Sequence, residues 1–162
     1  MNLLPDAEPF SHDAPDAAVG ILVLHGFTGS PKSMKPWGRE LAAQGWSVRV
    51  PRLPGHGTRW QDMNLTTWQD WYAEADRALA ELTASCSKVF VMGLSMGGSL
   101  TLRLAEQHGD RISGIVLVNA AAALIVAGLT EDWSEAMARA VESIDSGSAT
   151  SVLQRMRRVA AA

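Results

Sequence analysis

Residues 89–104, "VFVMGLSMGGSLTLRL", join an apolar run to Gly93-Leu94-Ser95-Met96-Gly97 and then to an amphipathic helical pattern. A Gly-x-Ser-x-Gly turn between a strand and a helix exposes a serine hydroxyl on a sharp bend. That hydroxyl is a weak nucleophile at neutral pH and needs a base, which needs an orienter in turn. The chemistry is acyl transfer, where charge builds on a carbonyl oxygen and calls for preorganised N–H donors. Met96, which follows the serine, carries one such donor. "LHGFTGS", residues 24–30, ends an apolar run in a His-Gly-x loop and places the second donor on Phe27. His25, Gly26, Gly93 and Gly97 make up the supporting loops. His25 reads as an organiser of its loop rather than as the base, and His56 in "PGHG" reads the same way.

Rival readings are weaker. A strand-turn-helix junction can carry Gly and Ser merely to turn and cap, but here glycines flank Ser95 at the required spacing on both sides. Residues 26–33, "GFTGSPKS", fall one residue short of a phosphate-binding G-x-x-x-x-G-K-[ST] loop. Pro31 stands where such a loop needs a free N–H. No apolar strand ends in the aspartate that would hold magnesium. "GLSMGG" does not match the dinucleotide pattern G-x-G-x-x-G.

The chain has 162 residues, with 47% hydrophobic and 19% charged, a composition for one globular domain with a sizeable core. A net charge of −3 gives no basic footprint for nucleic acid or an anionic membrane. One cysteine, Cys86, cannot close an internal disulfide, which makes a reducing, cytoplasmic setting the expectation. Residues 1–15 lack the basic and apolar regions of a secretion signal. No apolar run approaches the roughly 20 residues of a transmembrane helix.

The elements that must hold the serine follow from periodicity. Apolar runs at 18–24, 46–50, 88–92 and 112–118 read as strands of a parallel sheet. Between them lie helical patterns. The first opens at Ser30-Pro31 and stops at Gly45, with Trp37 and Leu41 on one face. The second opens on a capping box of Thr67 and Asp70, and its stripe of Trp68, Trp71, Tyr72, Ala75, Leu79 and Leu82 reads as core. The third runs from Ser95 to His108, with Gly109 as its stop. In such sheets ligands sit at the carboxyl ends of strands, where both His25 and Ser95 fall.

Residues 7 to about 120 resemble the carboxylesterase and monoacylglycerol-lipase branch of the α/β-hydrolase family. The matching pieces are "AEPFSHD", "LVLHGFTGSPKSM", "VRVPRLPGHGTRWQDMN", "WQDWYAEADRAL", "VFVMGLSMGGSLTLRLAEQHGD" and "GIVLVN". The resemblance implies Ser95 as nucleophile and an oxyanion hole from Phe27 and Met96. It also implies short- to medium-chain esters or monoacylglycerols as substrates, with no cofactor and no metal.

The family's chain order is Ser, acid, His. His108 is the only histidine after Ser95. On the same helix, at ~1.5 Å per residue, it lies about 20 Å away and cannot serve as base. His12, His25 and His56 precede the serine, and Asp110, Asp132 and Asp145 have no histidine after them. The triad is expected to be incomplete in this chain.

Residues 119–162 are rich in Ala, Glu, Met and Arg and read as helices at about 119–127, 132–145 and 147–160. Residues from about 117 to 160 resemble the C-terminal end of anthranilate phosphoribosyltransferase, without that family's glycine-rich phosphoribosyl-pyrophosphate loop. The expected organisation is a partial hydrolase domain, 1–118, followed by a helical tail, 119–162, foreign to it. The alternative is a diverged hydrolase segment with "ALIVAG" as its next strand. The fold class is α/β: the N-terminal half of a hydrolase parallel sheet with flanking helices, then two or three C-terminal helices. An open sheet edge predicts self-association.

Overall fold

The computed structural model describes residues 2–118. The calls on the helices and the domain beyond residue 118 lie outside them. In chain order the elements are β1 (Phe10–His12), β2 (Val19–Leu24), α1 (Pro31–Ala43), β3 (Ser47–Val50), α2 (Trp60–Met63), α3 (Trp68–Ser85), β4 (Lys88–Leu94), α4 (Met96–His108) and β5 (Gly114–Val118). A 3₁₀ turn, Gly109–Arg111, joins α4 to β5.

The sheet has five strands in the order β1-β3-β2-β4-β5. The four expected strands pair in parallel, and β1 adds an antiparallel edge on β3, with Phe10 opposite Val50. The sheet is therefore mixed at one border. Parallel pairing sets Leu24 beside Gly93 and Leu94 beside Val118, so three strands end at one level. That level carries the site.

Strand β2 is buried along its whole length, as a central strand covered on both faces must be. Its side chains alternate. Leu22 and Leu24 join Val89 and Val91 against Ala75, Ala78, Leu79 and Leu82 of α3 and Leu100 and Leu104 of α4. Val19, Ile21 and Val23 join Val48, Val50, Phe90 and Met92 against Met34 of α1. Two cores thus sandwich one sheet.

The helix boundaries follow local chemistry. Pro31 opens α1, and Gly45, at φ +80°, ends it in the left-handed conformation that suits glycine. The Asp70 carboxylate accepts from the Thr67 N–H at 2.8 Å and its hydroxyl at 2.9 Å, capping α3. Gly109 ends α4 as expected, in a right-handed conformation that leads into the 3₁₀ turn. The buried face of α1 is Pro31, Met34, Lys35 and Gly38. Trp37 lies outside it and is exposed, while Leu41 packs against the core.

Candidate active site

Ser95 occupies the bend between β4 and α4 with φ 52° and ψ −117°, a conformation costly for a residue with a Cβ. Its side chain is exposed. The bend closes because two glycines leave room. A Cβ on Gly93 would stand 2.2 Å from the Gly97 carbonyl oxygen, and one on Gly97 would stand 2.7 Å from that of His25. The Ser95 N–H donates to the Val118 carbonyl at 3.1 Å, fixing the bend to β5.

The loop after β2 lies directly against this bend. A Cβ on Gly26 would be 3.4 Å from the Ser95 Cβ and 3.2 Å from the Leu94 carbonyl oxygen. The Gly26 carbonyl accepts from the Gly29 N–H at 3.1 Å, closing a tight turn over Phe27 and Thr28. Thr28 holds φ +58°, rare for a β-branched residue. Among the described residues neither the Phe27 nor the Met96 N–H enters a backbone hydrogen bond outside the regular elements. Met96 is the first residue of α4, whose positive dipole end therefore meets the Phe27 loop.

His25 is fully buried, and both ring nitrogens are engaged. The Leu53 N–H donates to its Nε2 at 3.2 Å, so the ring proton sits on Nδ1, which donates to the Gly26 carbonyl at 3.0 Å. Burial is the main cause that brings its pKa down to about 4. The ring is a neutral strut between two loops.

His56 is buried too, and burial likewise lowers its pKa. Its Nδ1 donates to the Pro54 carbonyl at 3.1 Å, and among the described residues its Nε2 has no hydrogen-bond partner. Its ring lies 5.0 Å from both His25 and Trp71 and 6.1 Å from Phe27. His108 pairs with Asp76 at 2.7 Å, joining α4 to α3. His12 belongs to edge strand β1.

The structure thus brings together Ser95, Met96, Gly97, Gly93, Gly26, His25 and Phe27. Sequence reasoning missed the supports beneath them: Leu53, Pro54, Trp71 and Val118. Trp71 was legible only as one member of an aromatic stripe.

A strand-bend-helix with an exposed serine, beside a His-Gly-Phe loop on a parallel sheet, is the arrangement found in one large class of hydrolases. Residues 14–161 match the family model described as serine aminopeptidase, S33 (Hydrolase_4). The chain belongs to this α/β-hydrolase family.

The chain is 49% identical over 130 residues to a thermostable monoacylglycerol lipase of Bacillus sp. (strain H-257), covering 79% of this chain and 51% of that protein. It is 32% identical over 110 residues to a carboxylesterase of Bacillus subtilis (strain 168), covering 67% and 43%. A solved structure reported with LipS and LipT, two metagenome-derived lipolytic enzymes, superposes with a TM-score of 0.70 at 42% identity. It covers 73% of this chain and 47% of that one. The S33 chain spans about half the length of the curated relatives it matches. A stretch of 55 residues is 46% identical to anthranilate phosphoribosyltransferase of Brucella suis (strain ATCC 23445 / NCTC 10510), covering 34% of this chain and 16% of that enzyme.

Among the described residues no helix is long and apolar enough to cross a membrane.

Proposed function

We propose that this S33-family chain carries the nucleophile half of a carboxylic-ester hydrolase for short- to medium-chain esters or monoacylglycerols. The observation that carries this reading is the strained, exposed Ser95 set against the Gly26–Phe27 loop. In the proposed reaction Ser95 Oγ attacks the ester carbonyl carbon and loses its proton to a base. The carbonyl electron pair moves onto oxygen, where the Phe27 and Met96 N–H groups receive it. Collapse expels the alcohol, which takes the proton, and water then releases the acid from the acyl-enzyme. Preorganised donors of this kind are worth on the order of 10²–10³ in rate each. The site uses no cofactor and no metal in this reading, and the chain works in the cytoplasm.

A second reading is favoured by the histidines: a catalytically incomplete remnant or chimeric chain. His25 has no lone pair left to accept a proton, and His108 is tied to Asp76. No histidine follows residue 108. We place a junction near residues 116–122, between a partial hydrolase domain, 1–118, and a tail, 119–162. The 55-residue likeness to anthranilate phosphoribosyltransferase supports the junction. The family match through residue 161 supports continuity instead.

Hydrolysis of an activated ester by this chain and by Ser95→Ala separates the two. A fast rate abolished by the substitution establishes the hydrolase; a slow rate equal in both establishes the incomplete site, since binding and an oxyanion hole alone leave modest catalysis. Intact mass after treatment with a fluorophosphonate reports whether Ser95 itself reacts.

A further inference from the structure

We infer that Trp71 is a positioning residue for the oxyanion hole, holding the Phe27 loop through an aromatic stack anchored on the Pro54 carbonyl. The inference rests on the reading of Phe27 as an oxyanion donor and names a support that the reading does not supply.

The Phe27 loop needs holding. Thr28 beside it is in a strained conformation, and half of the Phe27 surface faces solvent, with 54% exposed. Its own turn bond, Gly29 N–H to Gly26 carbonyl, ties the loop's ends and leaves its tip to other contacts. Among the described residues two rings meet that tip. Phe27 lies 5.9 Å from the Trp71 centroid, inclined at 54°, and 6.1 Å from that of His56, edge-on at 78°. Trp71 and His56 meet at 5.0 Å and 77°. These separations and angles are within the favourable range for aromatic pairs.

Trp71 is itself fixed at its polar end. Its indole N–H reaches the Pro54 carbonyl at 3.1 Å and the Thr66 hydroxyl oxygen at 3.0 Å. Thr66 Oγ1 accepts there because its proton goes to the Met63 carbonyl at 2.7 Å. The same Pro54 carbonyl receives His56 Nδ1 at 3.1 Å. One carbonyl therefore gathers both rings that touch Phe27. The base of Trp71 lies on α3, whose later turns are embedded in the core. Rigidity passes from the core through Trp71 to the loop tip.

The chain has three phenylalanines, Phe10, Phe27 and Phe90, so protein labelled with [¹⁵N]phenylalanine gives three amide signals. Phe27→Leu assigns the one of interest. In Trp71→Ala the heteronuclear NOE of the Phe27 amide is expected to fall toward that of a mobile loop, with Phe10 and Phe90 unchanged. Trp71→Phe, which keeps a ring against Phe27, is expected to restore most of it. The rate of Ser95 phosphonylation by a fluorophosphonate is expected to drop about tenfold in Trp71→Ala and to recover in Trp71→Phe. An unchanged Phe27 NOE in Trp71→Ala overturns the inference, as does a fall shared equally by all three amides, which marks general loss of structure. If wild-type Ser95 is not phosphonylated, the reading of the site fails, and the NOE still decides whether Trp71 holds the loop.

Discussion

A Cβ atom on Gly97 would stand 2.5 Å from the carbonyl oxygen of Leu24. The helix that follows Ser95 and the strand that feeds the Phe27 loop therefore meet backbone to backbone. Gly97→Ala is expected to force α4 away from the end of β2. A loss of about 2 kcal/mol in a urea titration follows from overpacking against main chain that cannot step aside. Phosphonylation of Ser95 should fall by more than tenfold in the same protein. Retention of both stability and reactivity would show that the two segments can separate freely.

Ser95 bears a backbone cost at φ 52° and ψ −117°. Glycine has no Cβ to clash there, whereas alanine does. Ser95→Gly is therefore expected to be about 1 kcal/mol more stable than Ser95→Ala, with both unreactive. Equal unfolding midpoints for the two variants would remove strain from the account of this bend.

His25 is fully buried, and its pKa falls from 6.5 to about 4 on folding. Between those values the unfolded chain binds more protons than the folded one, so stability rises with pH there. This contribution is complete above pH 6.5, is lost as pH falls toward 4, and changes no further below that. The displacement sets a ceiling of about 3 kcal/mol. His56 acts in the same direction. Urea midpoints at pH 7.5, 5.5 and 4 are expected to decline in the wild type and to decline less in His25→Asn. Parallel declines would assign the acid sensitivity to other groups.

Among the described residues β5 forms one border of the sheet, with all five of its residues partly buried. A strand border of Ile, Val and Leu recruits further chains. Size-exclusion chromatography with light scattering is expected to find species larger than 17.4 kDa. A single monomer peak across a tenfold dilution would count against association through this edge.

Much of this arrangement was legible because it is local. The continuous apolar runs that became β2 and β4, the glycine that ends α1, and the Thr67–Asp70 cap each declare themselves within a few residues. Ser95 was legible for the same reason. Strand β1 was not, because its three residues are too few to show a period and its pairing with β3 is a tertiary event. Trp37 sat at the right spacing for a buried face, yet α1 turns Met34, Lys35 and Gly38 inward. Gly38 lies so close to β3 that a Cβ there would be 2.8 Å from Val50 Cγ2. The ring stack escaped notice because residues 27, 56 and 71 meet only after the sheet has formed.

The stack's anchor is a main-chain oxygen. No change of side chain at position 54 deletes it, so drift at that position can alter the loop's shape without cutting its tether. The donors are side chains, and each can be lost in one mutational step. Over generations the fragile points of this loop are therefore positions 56 and 71, far along the chain from the serine they serve.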